Sequence, residues 1–198
     1  MGLQHESFHA FEGMSDPARL TAAETVFREH ENRYLWDDDE FRKSWQIELD
    51  LLAEAVGAKS DAETLRLARQ FLDHRQQRRA QANLDANLIA MEGLKEWEEG
   101  LAKYTELSLW RLAAASTGYQ PLAAMSGEPG FKSYAGADKR WSQEIRQIRR
   151  MANAAGDSRF YYSGLAQAAI LDRLMPDWKQ KAMIQGALLE DLLRESVQ

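Results

Sequence analysis

From Asp61 to about Ala115 the chain runs without a proline, and its apolar residues recur at helical spacing. A stretch of that kind leaves room for little except one long helix or two, with a break expected near Asn83 to Asn87. The rest of the sequence agrees. Only 4 prolines and 12 glycines occur in 198 residues, and they gather at a few places. Val and Ile are scarce, while Ala, Leu, Glu, Gln and Arg dominate, which is a composition of helix formers. No segment keeps a two-residue alternation, so no strand is expected. The expected fold is all-α, a single helical domain over residues 1–198.

Local signals place the helices. A short one covers about Gln4 to Phe11. Asp16 before Pro17 is a good helix start, and that helix runs to about Tyr34. Asp37 to Asp39 open the next, a charged helix N-terminus rather than a calcium loop, and Gly57 ends it. Ser60 with Glu63 makes a capping box. Thr117 to Gly136 holds most of the turn residues and is the expected long loop, with Met125 to Tyr134 bordering a cleft. Helices are then expected over Asp138 to Ala154, Ser158 to Leu174 and Trp178 to Ser196. The six tryptophans are expected in the core.

Net charge is −6, so nothing in the total favours nucleic acid. Basic clusters at Arg75 to Arg79 and Arg146 to Arg150 read as solvated helix faces. Cysteine is absent, which excludes thiolate metal sites. No run approaches the roughly 18 apolar residues of a membrane span. No signal peptide is visible, and a location outside the cytoplasm stays open for a longer protein. Oligomeric state leaves no mark in the sequence.

One motif carries chemistry. His5-Glu6-Ser7-Phe8-His9 spells H-E-x-x-H. Residues four apart share a helix face, so both imidazoles can point at one metal ion. Glu6 then sits beside the ion. Zinc lowers the pKa of a bound water towards about 7, and the carboxylate can take its proton. Such a site needs a third protein ligand and an open fourth position. No histidine follows closely, and His30 and His74 lack a supporting motif. A glutamate is the better candidate, in Trp97-Glu98-Glu99-Gly100-Leu101-Ala102-Lys103-Tyr104. Glu92-Gly93-Leu94 offers a weaker alternative seven residues earlier. Seven residues span about 10 Å of helix, so Glu92 and Glu99 cannot both ligate one ion.

The paired motifs resemble those of gluzincin zinc metallopeptidases, whose downstream helix carries W-x-E-G-x-A-x-Y. The wider chain is similar to a group of bacterial gluzincin-like proteins. The resemblance implies that Glu99 is the third zinc ligand beside His5 and His9, and that Glu6 is the general base. It implies a peptide or protein substrate and a Zn2+ cofactor. Gly100 and Ala102 would let this helix approach the H-E-x-x-H helix closely, and Tyr104 would pack or bond at the site. Some of these families place an Asp four residues after the ligand Glu to orient a histidine. Lys103 stands there instead, leaving Glu92, Glu96 and Glu106 as candidate acceptors. Tyr162, and less so Tyr161, is a candidate stabiliser of an oxyanion. Gluzincins also have a sheet before the H-E-x-x-H helix, so this chain is expected to be the N-terminally truncated part of a longer protein. The rival reading is a non-catalytic helical scaffold with a structural or degenerate metal site.

Overall fold

A computed structural model describes residues 2–131, 134–154, 156–184 and 186–198, without the side chain of Ser126. It is all-helical, with no strand among the described residues. In chain order the helices are α1 (Leu3–Ser15), α2 (Pro17–His30), α3 (Asp39–Gly57), α4 (Asp61–Gln81), α5 (Ala86–Lys95), α6 (Leu101–Ala115), α7 (Ala137–Ile148), α8 (Ser158–Leu174), α9 (Trp178–Ile184) and α10 (Leu189–Ser196). A π-helical turn, Glu96–Gly100, joins α5 to α6 into one continuous rod. None of these helices is long and apolar enough to cross a membrane.

Capping chemistry sets several helix starts. Asp16 accepts from the backbone N–H of Arg19 at 3.0 Å, with Pro17 opening α2. Asp38 accepts from Phe41 N–H at 2.7 Å. Ser60 accepts from Glu63 N–H at 3.2 Å, while the Glu63 carboxylate reaches back to the N–H of Lys59 at 3.3 Å. Between α4 and α5 the chain turns at Asn83, whose φ of 50° suits a short polar side chain. Asp85 then caps α5.

Some expected segment boundaries need correcting. The segment Trp178 to Ser196 is two helices, α9 and α10, because Gly186 adopts a φ of 83° that a helix cannot carry. The long loop holds short 3-10 turns at Ala123–Gly127 and Tyr134–Gly136. Lys132 and Ser133 of the expected cleft loop lie outside the described residues.

Helix α8 is the core element. Leu165, Ala166, Ala168, Ile170 and Leu171 are all fully buried, because α8 packs against α3, α6, α10 and the π turn. Trp45, Trp97 and Trp178 fill the interior, whereas Trp36, Trp110 and Trp141 are only half-buried. At one crossing the backbones nearly touch. A Cβ added at Gly164 would lie 2.4 Å from the carbonyl oxygen of Glu96 and 2.7 Å from Cα of Gly100. Glycine at both positions allows this approach. Gly100 therefore serves the approach of α8, not of the H-E-x-x-H helix.

Not all of the interior is apolar. Arg75 and Arg78, expected on a solvated face, are 0% and 1% exposed. Arg75 grips Glu96 with two bonds, 2.6 and 2.8 Å, and Glu48 with a third at 3.0 Å. Arg78 grips Glu92 with bonds of 2.7 and 3.0 Å and also bonds Glu48. Arg79 joins Glu92 to Glu190. Both buried guanidinium planes lie over aromatic rings, Arg75 on Phe71 and Arg78 on Trp45. Buried charge of this kind is tolerable only when every ion has a partner, which these have. The cluster at Arg146 to Arg150 behaves as expected, with Arg146, Arg149 and Arg150 exposed.

Candidate metal centre

The helical spacing of α1 puts His5, His9 and Glu12 on one face, turned towards the rod that carries Glu99. Glu99 lies in the π turn. Such turns interrupt the regular ladder and often occur at functional sites. The result is a close trio. His5 Nε2 lies 3.1 Å from Glu99 Oε2, His9 Nε2 lies 3.1 Å from His5 Nε2, and His9 Nε2 lies 3.4 Å from Glu99 Oε2. His5 and Glu99 are buried and His9 is half-buried.

Proton accounting shows what these atoms fit. His9 Nδ1 lies 2.8 Å from Glu12 Oε2, and an ionised carboxylate can only accept. Nδ1 therefore carries the proton, and in the neutral ring the Nε2 lone pair points into the trio. That lone pair and a Glu99 oxygen both face His5 Nε2, so the centre of the trio is rich in acceptors and suits a shared proton or a cation. Without a metal ion a proton serves. Burial of His9 works against its charged form, but the bonds to Glu12 and Glu99 outweigh it and raise its pKa to about 10. Glu99 is also buried, yet the bonds from His5, His9 and Tyr161 hold its carboxyl well below the usual range. A metal ion would answer the same need. Donors around a tetrahedral ion at bonds of about 2.0–2.1 Å lie roughly 3.3–3.4 Å apart. The separations here, 3.1, 3.1 and 3.4 Å, are of that size. Among the described residues this trio is the His, Asp and Glu cluster with such spacing.

The surroundings differ from several expectations. The acceptor that orients His9 is Glu12, three residues on in the same helix, not Glu92, Glu96 or Glu106. Glu92 and Glu96 are held by the buried arginines, and Glu106 pairs with Arg140 at 2.6 Å. Glu92, the alternative third ligand, lies in that arginine network instead, with Tyr34 donating to it at 2.5 Å. Lys103 is fully buried and faces Glu144 at 3.2 Å. Tyr104 lies off the trio too. Its hydroxyl donates to Asp172 at 2.7 Å and its ring packs on Trp178. The signal for Glu12 was present, since i+3 is the same helix face, but a lone Glu has many other uses.

The tyrosines exchange places. Tyr161 stacks flat on His5, with ring centroids 5.3 Å apart and planes 3° from parallel, and its hydroxyl bonds Glu99. Tyr162 turns away, donating to Glu144 at 2.8 Å. Neighbours on a helix point about 100° apart, so only one of the pair can face the trio. Glu6 is exposed, one position round the helix from His5. On the opposite flank Phe8 lines an apolar cavity of about 320 Å3 with Leu101, Leu109, Leu112, Trp178 and Met183.

Comparison of the chain with protein-family models, with curated proteins and with solved structures finds no match.

Proposed function

We propose that the chain is a zinc-dependent peptidase, in which His5, His9 and Glu99 hold the ion. The observation that carries this reading is the trio. Its members come from positions up to 94 residues apart, yet their donor atoms meet at 3.1–3.4 Å around a point that suits a cation. A zinc ion bound there would supply Lewis acidity and lower the pKa of water. In this reading Glu6, exposed on the same helix, would accept a proton from the attacking water and return it to the leaving amine. Tyr161 holds Glu99 and walls off His5 from solvent. Tyr162, the expected oxyanion stabiliser, bonds Glu144 instead.

Metal analysis of the purified protein tests the first half, with about one zinc per chain expected and none bound or taken up as the refuting result. Replacement Glu6→Gln should keep the metal and abolish cleavage of an unfolded protein substrate. Replacement His9→Ala or Glu99→Ala should lose the metal.

A non-catalytic metal-binding helical module is the second reading. The Glu6 carboxylate has no hydrogen-bond or ion-pair partner among the described residues, and no strand edge is present among them to align an extended substrate. Zinc uptake without chelator-sensitive cleavage would favour this reading.

A further inference from the structure

We infer that Lys95 is a positioning residue that keeps Glu99 a one-oxygen ligand and so leaves the rest of the metal's coordination open. The inference rests on the metal-site reading above. Lys95 is the last residue of α5, one turn before Glu99, and it is 2% exposed. Its ammonium lies 3.4 Å from Glu99 Oε1, while the other oxygen, Oε2, faces both histidines. The carboxylate is thus divided between two tasks. One oxygen is aimed at the trio and the other is held by a fixed cation on the far side.

Lys95 itself is tightly placed. Glu98 Oε2 lies 2.8 Å away, Glu24 Oε1 lies 3.3 Å away, and the ammonium sits over the Phe27 ring at 5.0 Å. Glu98 and Glu24 give Lys95 partners besides Glu99. The contact matters for the carboxylate. A glutamate with both oxygens free can chelate one ion through both, which takes up a coordination position. Catalytic zinc sites work with three protein donors and one open place. An ammonium on Oε1 opposes the two-oxygen mode, because Oε1 would have to leave Lys95 to reach the ion.

The test uses the full chain loaded with Co2+ in place of zinc, since the visible absorption of Co2+ is strong when four-coordinate and weak when five- or six-coordinate. Lys95→Met keeps the length and the contact with Phe27 but removes the charge. The wild type should show the strong absorption. Lys95→Met should show the weak one and bind metal more tightly in chelator competition, since a neighbouring cation is gone and a second oxygen is free to bind. Lys95→Arg should restore the strong absorption. A folded Lys95→Met protein with wild-type spectrum and affinity would overturn the inference while leaving the metal site standing. A wild type that binds neither Co2+ nor Zn2+ would overturn both. Zinc X-ray absorption of the wild type requires no variant: one short oxygen from the carboxylate supports the inference, and two oxygens at bonding distance refute it.

Discussion

Replacing Gly164 by alanine probes how the π turn is held. A methyl group there would sit 2.4 Å from the carbonyl oxygen of Glu96 and 2.7 Å from Cα of Gly100. Contacts between such atoms are comfortable only at about 3.5–4.0 Å, so each is short by about 1 Å. Both obstacles are backbone, and no side-chain rotation relieves them. Either α8 or the rod must move. Overpacking of this severity costs up to about 3 kcal/mol. Alanine in place of glycine in a helix returns about 1 kcal/mol. The net loss is about 2 kcal/mol, which for a chain of this size lowers Tm by roughly 4–8 °C. Gly13 supplies the opposite sign. Its added Cβ would meet only Leu20 Cδ2, at an ordinary 3.4 Å. Replacement Gly13→Ala should therefore gain up to about 1 kcal/mol and raise Tm by about 2–4 °C. Thermal denaturation followed by circular dichroism measures both. Because Glu99 precedes Gly100 and Tyr161 precedes Gly164 on the displaced helices, the Gly164 variant should also bind zinc less tightly. A Tm that rises as that of Gly13→Ala does would mean that the two backbones do not meet at this crossing.

Other consequences follow from the same structure. Arg78→Met takes one partner from each of Glu48 and Glu92, which keep Arg75 and Arg79, and should cost up to about 3–5 kcal/mol, the loss of one partner of a buried pair. Adding Glu92→Met to it should recover part of that loss in urea titration, and no recovery would refute the pairing. Glu12→Met should weaken zinc binding about 10–100-fold without unfolding the chain, because His9 loses the acceptor that fixes its tautomer. Equal affinity in chelator competition would count against that role. Metal must displace the proton of His9, whose pKa is raised to about 10, so affinity should climb about tenfold per pH unit between pH 7 and 9. Calorimetry in buffers of different ionisation enthalpy should find about one proton released there, and none released would contradict the assignment. In the metal-free protein the sign reverses. The stability that charged His9 contributes is complete below its ordinary 6.5 and is lost as pH rises through about 10.

What was legible in the sequence was local. Helix type, the caps at Asp16 and Ser60 and the end at Gly57 depend on residues within one or two turns of each other, so composition and spacing reveal them. The pairing of His5 with His9 is of the same kind, since helix geometry alone puts them side by side. The choice of Glu99 over Glu92 needed a resemblance, because both stand in similar local sequence.

Tertiary structure decided the rest. An arginine-rich stretch reads as a solvated face until four glutamates from α3, the rod and α10 arrive to bury it, as they do around Arg75, Arg78 and Arg79. Those glutamates lie 13 to 115 positions from the arginines they bond, beyond the reach of any local pattern. Which of two adjacent tyrosines faces the histidines depends on the rotation of α8, and that rotation is set by the glycine contact with the rod. The sequence by itself determined which side chains were available to hold a metal ion. Only packing decided which neighbours would orient them, because orientation is a property of helices meeting and not of any one helix.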